Sequence, residues 1–177
     1  MSSFNANIVN IDQRISQYVE QHNPKVCILT PCYGSVCYVN YVYCLIKTKE
    51  LFEHYKIGLK IEFCKNDSLV SRARNNLIAK AMSNKDITHF MFIDNDITWD
   101  PMNVIKLLIS EKPIIGGIYP LKKYNWNKLT SNKEFIKNTI EKKNNSHMKN
   151  FIDDETFVQY NLLKYNVNYK NNEIMID

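Results

Sequence analysis

The stretch HFMFIDND, residues 89–96, sets the reading of this chain. An apolar run from His89 to Ile93 is too short for a helix, and turn-forming polar residues close it at Asp94-Asn95-Asp96. His89–Asp94 therefore reads as a buried strand. On its N-terminal side, Ser68 to Met82 places Leu69, Ala73, Leu77, Ile78 and Ala81 on one helical face. On its C-terminal side, Asp100-Pro101 opens another helix, with an N-cap and a proline in the first turn. Further out, Val26–Thr30 (VCILT) and Ile57–Cys64 read as strands, and Val36 to Glu53 as the helix between them. Residues 8–21 space Ile8, Ile11, Ile15, Tyr18 and Val19 like one helix face, and Pro24 ends that element. Ile114–Ile118 reads as a fourth strand, punctuated by Gly116 and Gly117. Strands alternating with helices imply crossover connections. The expected fold is α/β: a three-layer α/β/α sandwich with a mainly parallel central sheet.

The 177 residues fit one domain, and a 45 % hydrophobic content can fill its core. The charged fraction, 23 %, argues against wholesale disorder. The longest apolar runs fall far short of the roughly 18 to 20 residues that span a bilayer. The N-terminus lacks the basic-then-apolar pattern of a secretory signal, so a cytoplasmic, non-secreted protein is expected. Five cysteines with no CxxC pair favour reduced thiols over a disulfide framework or a zinc site. The net charge of +5 is local, because residues 121–150 hold eight Lys against two Glu. That Asn/Lys-rich segment reads as a solvated loop or helix face, and no nucleic-acid partner is expected. The segments are 1–23, an N-terminal helix; 24–120, the binding core; 121–150, the Lys/Asn-rich stretch; and 151–177, a C-terminal segment.

Parallel sheets bind ligands beyond the carboxyl ends of their strands. There lie Pro31-Cys32-Tyr33-Gly34, Lys65-Asn66-Asp67-Ser68, Asp94-Asn95-Asp96, and Tyr119, Pro120 and Lys122. In an extended segment Asp94 and Asp96 point the same way, and two hard oxygen donors suit Mg²⁺ or Mn²⁺ with substrate phosphates completing the shell. The plainer reading is a turn and cap. Arg72 and Arg74 stand out in a chain with three Arg and 20 Lys. Two residues apart on a helix, they diverge by about 200°, so one at most points into a site and the other pairs with an acid. Tyr33 either stacks on a nucleobase or is a rim aromatic. Asp67 either accepts from a base or ribose or caps the following helix. Asp100 is fully explained as a cap, and His89 reads as structural. No GxGxxG, GxxxxGK[ST], HExxH or GxSxG occurs.

The blocks KVCILTPCYG, NDSLVSRARNNLIAKAM, THFMFIDNDITWDP and KPIIGGIYPLK, in this order over about residues 24–122, resemble the family 2-like glycosyltransferases of large DNA viruses and phages, which have the GT-A fold. The resemblance implies a nucleotide-diphosphate-sugar donor, usually a UDP-sugar, with Mn²⁺ or Mg²⁺ held by the DxD residues Asp94 and Asp96. It also implies that Thr30, Pro31 and Tyr33 line the nucleoside pocket, that Asp67, Arg72 and Asn75 lie beside base, ribose or diphosphate, and that Asn95 belongs to the same site. The acceptor, a glycan, protein or lipid, is left open.

Such enzymes continue into an acceptor half with an acidic base. Here that half looks short or missing. Asp153 and Asp154, beside Glu155, are weak candidates for the base, and a helix-start cluster is the plainer reading. NYKNNEIMID, residues 168–177, looks like a hairpin whose exposed edge invites pairing, so a homo-oligomer or a longer polypeptide is expected. Two rival readings stand beside the transferase. One is a non-catalytic nucleotide-sugar-binding or assembly module. The other is a sugar nucleotidyltransferase, which TPCYGSV serves poorly because it has one glycine and no basic residue for a triphosphate.

Overall fold

The computed structural model describes residues 2–150, 152–170 and 173–176, with side chains over 11–146, 149–150 and 152–166. The chain divides into two compact units, Met1–Ile115 and Gly116–Asp177.

The first unit is a parallel three-stranded sheet with helices on both faces. Its elements run α1 (Ser2–His22), β1 (Lys25–Cys32), α2 (Val39–His54), β2 (Gly58–Lys65), α3 (Val70–Met82), β3 (His89–Phe92) and α4 (Pro101–Leu108). The strand order is β2-β1-β3. Lys25 pairs with Gly58 through to Cys32 with Lys65, and Val26 with His89 through to Leu29 with Phe92.

Strand alternation sorts the core. Val26 joins Ile15, Tyr18, Phe52, Ile57, Val104 and Ile105, so α1, α2 and α4 cover that face. Ile28 packs there too, with Tyr41 and Ile93. The alternate residues Cys27 and Leu29 face the other way, onto Leu77 and Ala81 of α3. In α2 the buried residues are Tyr41, Cys44, Thr48 and Phe52, and in α3 Ala73, Leu77 and Ala81, three or four apart as a one-sided helix requires. Asp100 caps α4 by accepting from the Met102 amide at 2.8 Å, with Pro101 at the first position, as expected. Glu62 sits on edge strand β2, is 8 % exposed, and pairs with Lys60 at 3.0 Å and with Lys80 of α3. The Lys80 ammonium is the main reason its carboxyl is held below the usual range. A charge kept on an edge strand also discourages strand addition.

The expected fourth strand, Ile114–Ile118, does not form. Residues 113–119 pair with no strand, Ile114 is 94 % exposed, and the boundary between the two units falls inside the segment. Gly116 and Gly117 offer no side chains to pack and have no neighbour within 4 Å of a Cβ position, so nothing here rewards the entropy of ordering a strand.

The second unit is built from a different kind of pairing. β4 (Pro120–Tyr124) lies antiparallel to β5 (Leu163–Tyr165) with an irregular register. Between them come α5 (Asn127–Ser131), α6 (Phe135–Asn144) and α7 (Asp154–Leu162). The Lys-rich stretch thus carries a strand and two helices. Lys143, 6 % exposed on α6, forms an ion pair with Asp154. The hairpin expected at the end is present as β6 (Val167–Lys170) and β7 (Glu173–Ile176), joined antiparallel; the side chains of Ile174-Met175-Ile176 lie outside the described residues. No described helix is long and apolar enough to cross a membrane.

Candidate functional site

The chain leaves β1 for α2 on one face of the sheet and leaves the adjacent β2 for α3 on the other. In such sheets ligands bind beyond the carboxyl ends of the strands where the strand order reverses, which in the order β2-β1-β3 lies between β1 and β3. A 3₁₀ turn, Tyr33–Ser35, follows β1 at this end of the sheet. Gly34 in it has φ 71°, a left-handed value that glycine adopts without strain. The Ser35 hydroxyl donates to Asn66 Oδ1 at 3.1 Å, and the Asn66 amide donates to the Cys32 carbonyl at 3.3 Å. On the β3 side, the Asn95 side-chain amide donates to the Val36 carbonyl at 2.6 Å, and the Tyr38 amide to the Asn95 carbonyl at 3.2 Å. The turn is thereby tied to both neighbouring loops.

β3 ends at Phe92, and Asp94–Ile97 is a tight turn closed by the Ile97 amide on the Asp94 carbonyl at 3.1 Å. The expected geometry is corrected here: Asp94–Ile97 is a turn, so Asp94 and Asp96 do not share the alternation of an extended strand. Asp94 continues the face of Phe90 and Phe92 toward α3, and Arg74 of α3 donates to its two oxygens at 3.1 and 3.5 Å. The Arg74 guanidinium also lies 5.7 Å from the Phe92 ring centre, and its Nε is buried without a hydrogen-bond partner.

Both arginines pair with acids. Arg72 holds Asp67 through Nε and Nη2 at 2.8 to 3.1 Å. Asp67 also accepts from the Leu69 amide at 3.0 Å, an Asx turn just ahead of α3, whose N-cap is Leu69 and carries no side-chain cap. The Arg72 guanidinium is the largest cause of its lowered carboxyl pKa, with the Leu69 amide adding to it. The arginine that meets the Asp94 turn is Arg74. The signal lay in the helix phase: Arg74 follows Ala73, the residue that packs α3 on the sheet.

The remaining expected residues fall into two groups. Tyr33 is 71 % exposed on the turn after β1, Asn75 is exposed on α3, and Pro31 is half-buried at the end of β1. Thr30 is corrected. It is fully buried on the α2 face, with its hydroxyl 2.5 Å from that of Tyr41, so its side chain is part of the core and lines no pocket. Its alternation with Val26 and Ile28 signals that placement. Burial pushes the Tyr41 hydroxyl up to about 12, so it stays protonated against Thr30.

Neither candidate base is free for that role. Asp153 caps α7, accepting from the Thr156 amide and hydroxyl at 2.8 Å each, and those bonds lower its pKa. A lowered pKa makes a poorer base. Asp154 is the ion-pair partner of Lys143. His89 is structural as expected: Thr88 Oγ1 lies 2.8 Å from its Nδ1, and burial depresses its pKa. No set of three or more Asp, Glu, His or Cys that could hold a metal occurs among the described residues. No family model, characterised protein or solved structure matches this chain.

Proposed function

We propose that the first unit is a nucleotide-sugar-binding core of GT-A type and that the chain acts as a metal-dependent glycosyltransferase on a UDP-sugar. One observation carries the reading: the acidic turn Asp94–Asp96 stands at the carboxyl end of β3, beside the end of β1, where the strand order β2-β1-β3 reverses. Two carboxylates fit Mg²⁺ or Mn²⁺ only when phosphate oxygens complete the shell, which is how such ions bind at phosphate sites. When bound, the ion supplies charge that stabilises a diphosphate leaving group. Asp94 and Asp96 would hold it. Arg74 then turns from Asp94 to the diphosphate, keeping a cation beside the leaving oxygens. Tyr33 offers a stacking face for the base. The test is release of UDP from a panel of UDP-sugars with Mn²⁺. Metal-dependent release from at least one sugar is expected, and neither release nor UDP binding at any metal concentration would remove the reading.

A second reading is a non-catalytic nucleotide-sugar-binding module. The engagement of Asp153 by Thr156 and of Asp154 by Lys143 favours it, since it leaves neither candidate base available. It predicts metal-dependent UDP binding without release.

A further inference from the structure

Cys32 is the last residue of β1, and Cys37 follows the Tyr33–Ser35 turn. Their sulfurs are 3.4 Å apart, thiol to thiol. Both lie on the α2 side of the sheet. Cys32 is 2 % exposed, and Cys37 is half-buried against the Ile28, Tyr41 and Ile93 cluster. A disulfide has its sulfurs about 2.05 Å apart, so little more than an ångström of closure separates the two states. The other cysteines are placed differently. Cys27 and Cys64 belong to the α3 face, across the sheet, and Cys44 is buried on α2, accepting from the Trp99 amide at 3.4 Å.

We propose that Cys32 and Cys37 are a modification site, forming a reversible disulfide with oxidants of the peroxide class, and that this bond weakens nucleotide binding by drawing in the turn between them. The second clause rests on the reading of the loops beyond β1 and β3 as a nucleotide site. Cys37, the more exposed, meets the oxidant first. Its thiolate attacks one peroxide oxygen, the O–O bond breaks, and the departing hydroxide takes up a proton as water, leaving a sulfenic acid. The Cys32 sulfur then attacks the Cys37 sulfur. The S–O bond breaks, and the hydroxyl leaves as a second water with the Cys32 proton. Two thiols and one peroxide thus give one disulfide and two waters. Burial, with Cys37 alongside, pushes the Cys32 thiol up to about 12, so Cys32 is not the sulfur that meets the peroxide first.

The turn is poised to report the change. It holds Ser35 at φ 59° beside Gly34, and it bonds the β2 loop through Ser35–Asn66 and the β3 loop through Val36–Asn95. Pulling its ends together strains those two bonds. Losing one hydrogen bond of this kind corresponds to about threefold or more in affinity.

The full chain is treated with hydrogen peroxide, denatured, and labelled with a maleimide. Two fewer labels than the five of the reduced protein are expected, with a Cys32–Cys37 cross-linked peptide and recovery in dithiothreitol. Cys37→Ser should lose this protection and Cys27→Ser should keep it. Five labels after oxidation, a cross-link to Cys64, or sulfinic acid at Cys37 in place of the bond would overturn the site. UDP–Mn²⁺ titration of reduced and oxidised protein tests the second clause. A disulfide that leaves affinity unchanged overturns it. A reduced protein that binds no UDP counts against the nucleotide reading and leaves the disulfide standing.

Discussion

Two Arg–Asp pairs lie on the same helix entry and the same edge of the sheet, yet they are built for different ends. Arg72 and Asp67 are five residues apart, joined by three close contacts, and the Asp67 side chain is only 10 % exposed. Asp67 also accepts from the Leu69 amide just ahead of α3, so the pair is a local corner at the entry to the helix. Arg74 and Asp94 are 20 residues apart and joined through one nitrogen at 3.1 and 3.5 Å, with both side chains nearly half exposed. The buried, unbonded Nε of Arg74 shows a guanidinium not fully satisfied by its acid. The first pair is closed on itself, whereas the second is left open at the carboxyl end of the sheet, where the proposed site lies.

The largest effect should come from Asp94→Asn. It preserves shape but removes half of the acidic turn, and metal-dependent UDP affinity should fall roughly ten- to hundredfold, the scale of a lost charge-assisted contact. Unchanged affinity would mean that the turn is only a turn. Next comes Arg74→Gln, expected to weaken UDP binding about three- to tenfold while the thermal midpoint stays close to the parent's. If Arg74→Gln instead destabilises the fold and spares binding, the two pairs are alike and the contrast fails.

Thr30→Val breaks neither pair but checks the core beside them. It strands the buried Tyr41 hydroxyl and should cost about 1–3 kcal/mol in denaturant unfolding, with UDP affinity unaltered in the folded protein.

Asp67 gives a pH test of the closed corner. Its carboxyl is depressed in the folded state, so its stabilisation is present above the unfolded-state pKa of about 3.9 and is lost as pH falls through the folded value. Acid unfolding of Asp67→Asn should therefore lack a component that the parent shows below about pH 4. Identical acid limbs would show that the pair contributes nothing. The smallest effect belongs to Arg72→Gln. Exposed ion pairs are weak, and UDP affinity should change less than about twofold. A larger loss than for Arg74→Gln would return the binding role to Arg72.

The sequence makes the three parallel strands, the helices between them and the Asp100 cap legible, because each has a period or a cap that acts locally. Thr30 was also legible: reading Val26, Ile28 and Thr30 as one face puts it in the core. The failure at Ile114–Ile118 has a different origin. An apolar run records a tendency to be buried, and whether a neighbour is there to bury it is decided elsewhere in the chain. The Arg74–Asp94 contact depends on how α3 is seated over β1 and β2, which no local pattern contains. Asp94 and Asp96 stand out in the sequence as acids after a strand, but the Asp94–Ile97 turn in which they lie is a property of the folded loop.

The central claim is that the acidic turn and the neighbouring end of β1 take a nucleoside diphosphate together with a divalent ion. Titration calorimetry of UDP into the full chain, with Mn²⁺ and then with EDTA, tests it most directly. A diphosphate beside Asp94 and Asp96 is repelled unless a cation lies between them, so the account predicts binding with Mn²⁺ that falls at least about tenfold in EDTA. Equal affinity in the two conditions, or none in either, would contradict it.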